Sequence, residues 1–212
     1  SSVARPQGGT AQAYTAALVV LATVFFMWGF VTVLNDTLIP HFKTAFQLDY
    51  AQVLLIQLVF FLAYLIMAIP SAKILERTGY KLSVVLGLLG MAVSAAGFIP
   101  AAMLESYGLF LVALFLLAAS ITLLQVAANP YVAVIGPPDT ASSRLNLVQA
   151  LNSAGTMLAP LFGGLLILGH GAADTAHGAV HLTATQRTAS VHTVELPYAI
   201  IAVVLLALAI LV

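Results

Sequence analysis

The sequence predicts an all-α membrane protein with six transmembrane helices, on three observations. Hydrophobic residues make up 62% of the 212 residues and charged ones only 7%, against about 25% charged in soluble domains; mean hydropathy is +1.09. The apolar residues come in runs close to the ~20 needed to cross a bilayer as a helix, not in the ten-residue alternation of a membrane barrel. The few polar residues inside those runs recur at helical spacing.

Taken in order, Ser1 to Gln12 is polar, lacks an initiator Met and reads as a trimmed or disordered tail. This places a cytoplasmic tail at 1–13 ahead of a bundle over 14–212. A signal peptide fits poorly, because the run from Ala16 to Leu34 exceeds an h-region and carries its own polar stripe. The first span covers about 14–39. The second covers about 50–69, stopped at Pro70, and the third about 81–103, loosened by Gly87, Gly90 and Gly97. The fourth covers 107–134, interrupted by Asn129-Pro130, and the fifth about 143–168, with Pro160 and Gly163-Gly164. The sixth, about 197–212, is short and reads as ending at a truncation.

Lysine and arginine set the orientation. With the amino terminus inside, the inner side holds Arg5, Lys73, Arg77, Lys81 and Arg144, and the outer side Lys43 and Arg187. Zero net charge gives no electrostatic case for nucleic acid. The absence of cysteine excludes disulfides and thiolate metal sites. His177, His181 and His192 lie in the weakly charged stretch from His170 to Glu195 at spacings that are not diagnostic of a metal, so that stretch reads as a solvated outer loop. The spans contain no HExxH, GxSxG, paired carboxylates or metal-ligand cluster. The expectation is therefore a non-enzyme without a cofactor or metal.

The centre of the pattern is WGFVTVLNDTLIP, Trp28 to Pro40, where Trp28, Thr32, Asn35 and Asp36 fall on one helical stripe. An ionised acid at mid-bilayer costs roughly 2.5 to 3.5 kcal/mol on insertion scales, so such residues face protein or an aqueous cavity. Burial also brings reversible protonation near neutral pH within reach, which makes Asp36 a candidate proton carrier. The rival reading is an interfacial acid beyond a helix end marked by Pro40.

Thr122, Gln125 and Asn129 form a stripe on span four, and Asn146, Gln149, Ser153 and Thr156 one on span five, with Asn152 alongside. Gln57 and Tyr64 share a face of span two, with Phe61 between them. Amides offer donor and acceptor together, which suits a ligand covered in hydroxyls. Trp28, Phe61 and Tyr64 supply flat surfaces for the CH faces of a sugar ring. Helix-to-helix hydrogen bonds, worth about 0.6 kcal/mol each, explain one or two amides. Stripes on four spans favour a shared polar cavity.

The loop AKILERTGYKLSV from Ala72 resembles the cytoplasmic motif of the major facilitator superfamily. Glu76 stands in its acid slot, Arg77 in its basic slot, Gly79 as the turn glycine and Lys81 as the last base, with Ala72 and Tyr80 as departures. Within that superfamily, FFMWGFVTVLNDTLIPHFK, LLQVAANPYVAVIGPP and SSRLNLVQALNSAGTMLAPLFGG resemble the fucose–galactose–proton symporter family, most of all its bacterial glucose/galactose branch. The resemblance implies the amino-terminal half of a twelve-helix carrier, a 3+3 inverted repeat missing its carboxy-terminal half, in the bacterial inner membrane. It implies proton-coupled hexose symport by alternating access, with Asp36 as the protonatable acid. Gln125, Asn129, Gln149 and Asn152 would line the sugar site, joined by Asn35, Trp28, Gln57 and Tyr64. In fucose permeases a glutamate fills the slot of Gln125, so Asp36 is left as the proton site of this half. The rivals are an uncoupled or sodium-coupled sugar carrier and a non-transporting sugar sensor or fragment.

Overall fold

The computed structural model describes residues 8–45, 48–104, 106–165 and 195–212. They are almost entirely helical: α1 (Gly8–Ala45), α2 (Tyr50–Met103), α3 (Tyr107–Val134), a single 3-10 turn (Pro138–Thr140), α4 (Ala141–Gly163) and α5 (Glu195–Leu211). Within them Tyr14–Thr37, Tyr50–Met103 and Tyr107–Val134 are long and apolar enough to cross a membrane, and α5 is a shorter apolar helix. The histidines at 177, 181 and 192 lie outside the described residues.

Helix starts follow local chemistry. Asp49 and Gln52 cap α2 reciprocally: Gln52 N donates to Asp49 Oδ1 at 2.7 Å, and Asp49 N donates to Gln52 Oε1 at 2.9 Å. Ser106 caps α3. The Tyr107 hydroxyl donates to the Gln52 carbonyl at 2.7 Å, tying these two starts together.

Prolines do not stop these helices. α1 begins at Gly8, inside the stretch read as a tail, and runs past Pro40; α2 runs through Pro70, and α3 through Pro130. In apolar surroundings an open backbone group costs several kcal/mol, so a helix losing one bond at proline is cheaper than one that unravels. The break in α2 comes instead at Gly79, with φ 75 and ψ 173. Only glycine enters this region without steric cost, and the Thr78 and Ser83 hydroxyls hydrogen-bond across the break at 2.7 Å.

Side-chain-free contacts set the packing. A Cβ on Gly29 would collide with the Asn152 carbonyl, and one on Gly155 with the Phe26 carbonyl. α1 and α4 therefore meet backbone to backbone, the close approach that small residues permit between membrane helices. α2 packs most broadly on α3, and Gly87 and Gly90 admit Leu124 and Ser120. α5 packs on α2, where the Tyr198 ring stacks on Phe98 with centroids 4.4 Å apart, and touches α1 more lightly.

Arg144, 3% exposed, is buried at the α3–α4 connection. It donates to the carbonyls of Val132 (3.0 Å), Ala133 (2.8 Å) and Pro137 (2.9 Å), and to Thr140 Oγ1 (2.6 Å). A guanidinium thus occupies the carbonyl-rich, negative end of α3.

Candidate functional site

Tyr64 joins the polar stripes. Its ring packs on Phe60 with centroids 5.2 Å apart, and its hydroxyl accepts from Gln125 Nε2 at 3.0 Å, linking α2 to α3. The Trp28 indole, a donor only, reaches the same hydroxyl from α1. Trp28 is itself held against Phe25, with centroids 5.4 Å apart. Three helices thus converge on one phenol.

On α3, Asn129 Nδ2 donates to the Gln125 carbonyl at 3.0 Å. Pro130 lacks the N–H that would close the next turn, and the Asn129 amide reinforces the carbonyl beside that gap. Gln125 and Asn129 are partly exposed, whereas Thr122 is buried and returns its hydroxyl to the Ala118 carbonyl. Gln57, also partly exposed, lies two turns before Tyr64 on α2.

Asp36 is exposed, and among the described residues its carboxylate has no ion-pair or hydrogen-bond partner. It lies within electrostatic range of the hydroxyls of Tyr64 and Tyr198. Its neighbour Asn35 points the other way. Asn35 is 2% exposed, and its Oδ1 accepts from the Tyr198 hydroxyl at 3.4 Å. In this arrangement its Oδ1 is engaged in an interhelical contact. Thr32 donates to the Trp28 carbonyl at 2.9 Å, an internal bond that occupies its proton.

The α4 amides divide. Gln149 is exposed. Asn152 is partly buried against Gly29, its Nδ2 donating to the Phe25 carbonyl at 2.9 Å. That amide is joined to α1, not to Gln125, and its Oδ1 is left as the acceptor. Trp28, Tyr64, Gln125 and Asn129 therefore form one connected row with Asp36 in electrostatic reach, while Asn35 and Asn152 are tied into helix contacts.

Glu76, Arg77 and Lys81 are all exposed around the Gly79 break. Tyr80, in the slot where the motif has a base, stacks on Tyr131 with centroids 5.8 Å apart and planes 4° from parallel.

The stripes did not single out two residues that have clear structural roles. Tyr198 had no signal beyond a tyrosine in an apolar run. Arg144 had one: a cation just after Gly136-Pro137-Pro138, where a helix ends and leaves carbonyls open.

The sequence profile of the Major Facilitator Superfamily matches residues 16–212. The chain belongs to the major facilitator superfamily. This superfamily member is 56% identical over 155 residues to a glucose/galactose transporter of Brucella abortus, covering 73% of this chain and 38% of the relative. It is 38% identical over 208 residues to the L-fucose-proton symporter of Escherichia coli, covering 96% of this chain and 48% of the relative. A crystal structure of the E. coli fucose:proton symporter, FucP, superposes with a TM-score of 0.76 at 36% identity, over 93% of this chain and 48% of that one. The chain spans about half the length, or less, of the curated relatives it matches. Its relatives are transporters, not enzymes.

Proposed function

We propose that the chain forms the amino-terminal half of a proton-coupled hexose symporter of the bacterial cytoplasmic membrane, with its amino terminus inside. Six crossings in a 3+3 inverted repeat are part of this reading. A straight helix of 54 residues would be about 81 Å long, far beyond the ~30 Å hydrocarbon core, so the Gly79 break supports counting α2 as two crossings. α1, α3, α4 and α5 supply the other four. A carboxy-terminal half completes the cavity, and the two halves rock about the site.

The supporting observation is the row formed by Trp28, Tyr64 and Gln125, with Asp36, unpaired among the described residues, in reach. Protonation of Asp36 removes a charge that is costly to enclose, so the loaded carrier closes and turns inward more readily. The hexose is held by Gln125, Asn129, Gln149 and the free carbonyl of Asn152, with Trp28, Tyr64 and Gln57 completing the wall. Glu76, Arg77, Gly79 and Lys81 form the turn that changes its contacts between states. The names of the relatives, which couple sugar to transport and in one case to protons, favour the same reading.

Uptake by the full-length protein in proteoliposomes tests it, with competing sugars and with or without a proton ionophore. Asp36→Asn is expected to abolish uphill, pH-driven accumulation while sparing exchange down a gradient. Intact uphill accumulation in Asp36→Asn overturns the coupling. A second reading, an uncoupled or sodium-linked carrier, draws on Gln125 being an amide, which leaves Asp36 as the sole carboxylate of the row. Uptake driven by sodium without proton movement would select it.

A further inference from the structure

Two polar side chains that the proposed sugar site does not use meet in the apolar interior directly behind Asp36. Asn35 is 2% exposed and Tyr198 1%. They come from helices that otherwise touch lightly, α1 and α5. The Tyr198 hydroxyl donates to Asn35 Oδ1 at 3.4 Å, long for an O–H···O bond, so enclosure holds the pair as much as bond strength does. The Tyr198 ring is fixed by its stack on Phe98, which in turn packs edge-on to Phe110 at 5.3 Å. The phenol is thus anchored to α2 and α3, elements other than the one it reaches.

Consecutive helical residues point about 100° apart, so holding Asn35 toward α5 fixes the rotation of α1 at this turn, nearly two turns beyond its backbone crossing with α4 at Gly29. That rotation decides where Asp36 points. Apolar packing alone selects a rotation weakly in lipid, because the tails are as apolar as leucine; a buried hydrogen bond selects it more sharply. The titratable groups within electrostatic range of Asp36 among the described residues are the hydroxyls of Tyr64, from α2, and Tyr198 itself, both neutral where a carboxyl titrates, so they bear on it through position and not through charge. We infer that Tyr198, through Asn35, is a positioning residue that aims Asp36 and so sets the pH dependence of coupling. The inference rests on the proton-carrier reading of Asp36 and adds the last described helix to it.

The test compares Tyr198→Phe, Asn35→Ser and Asp36→Asn with the wild type in the full-length transporter, reading two quantities in proteoliposomes. One is proton-driven hexose accumulation as a function of pH, and the other is sugar counterflow without a proton gradient. Tyr198→Phe keeps the ring stack and loses only the hydroxyl. It is expected to move the pH of half-maximal accumulation by about half a unit or more and to leave counterflow within about twofold. Asn35→Ser, which withdraws the acceptor while leaving Tyr198 in place, is expected to move the midpoint as well. An unmoved midpoint in both variants overturns the inference, and so does an equal fall in accumulation and counterflow without a shift. Asp36→Asn separates the two claims. If it keeps uphill accumulation, the proton-carrier reading fails; if it abolishes accumulation while the other two variants titrate like wild type, the positioning role alone fails.

Discussion

Gln125 and Tyr64, 61 residues apart in the chain, share a 3.0 Å hydrogen bond across the α2–α3 interface, with the amide donating to the phenol. Changing either partner should alter what the other offers a ligand. Tyr64→Phe in the full-length protein is expected to raise the sugar KM roughly 2- to 10-fold, the equivalent of one net hydrogen bond of about 0.5–1.5 kcal/mol. Tyr64→Ala should cost more, because the ring on Phe60 goes with it. Concentration-dependent uptake reads both, and wild-type KM values would take Tyr64 out of the site.

The α1–α4 crossing should be intolerant of a single added carbon. Gly155→Ala drives a methyl group into the Phe26 carbonyl, and overpacking of this kind costs about 1–3 kcal/mol. Asn152→Ala removes only the bond to the Phe25 carbonyl, worth about 0.6 kcal/mol on average between membrane helices. Thermal unfolding in detergent should rank Gly155→Ala below Asn152→Ala. The reverse order would mean that the hydrogen bond, not the close approach, holds the crossing.

Arg144 should be irreplaceable by lysine. An ammonium lacks the planar fork that serves four acceptors at once. Arg144→Lys is expected to lose about 2 kcal/mol of stability, on the scale of hydrogen bonds to charged groups, and Arg144→Met more, since the α3 carbonyls then lie buried without donors. Equal melting of Arg144→Lys and wild type would show that charge alone suffices.

At Gly79, φ 75 makes the ranking of substitutions a backbone matter. No atom lies within 4 Å of a Cβ added there, so sterics with neighbours play no part. With ψ 173 this is a region essentially reserved for glycine, not the left-handed helical well that asparagine tolerates, so Gly79→Ala and Gly79→Asn should each cost about 1–3 kcal/mol, and Gly79→Val should be worst. Protein yield and melting temperature report the order, and Val tolerated as well as Asn would refute a conformational cause.

The helical class and the family were legible because both are written in local pattern: long apolar runs with few charges, and motifs such as ANP at Ala128 to Pro130. Where helices would end was less so. Proline is a breaker in water, whereas Pro70 and Pro130 sit inside helices whose other backbone groups have nowhere else to bond. The stripes identified Gln125 and Asn129 as sharing a face, since periodicity describes a helix's own surface. They could not say which helix that face would meet. Asn35 and Asp36 are adjacent and looked equivalent, yet one is enclosed by Tyr198 and the other is exposed. Asn152 looked like a ligand with both ends of its amide available, and its Nδ2 is bonded to the Phe25 carbonyl, 127 residues away, which leaves its Oδ1 for one. Partnerships at such separations are set by packing, and no single stretch of chain contains them.

Between Gly29 and Gly155 there is no side chain for α1 and α4 to slide over. The two helices are joined there backbone to backbone, so on the proposed reading they would move as one piece. Any working motion has to be found at joints made of side chains. The nearest such joint is the meeting of Trp28 with Tyr64, where the indole N–H of α1 comes within range of a phenol hydroxyl on α2.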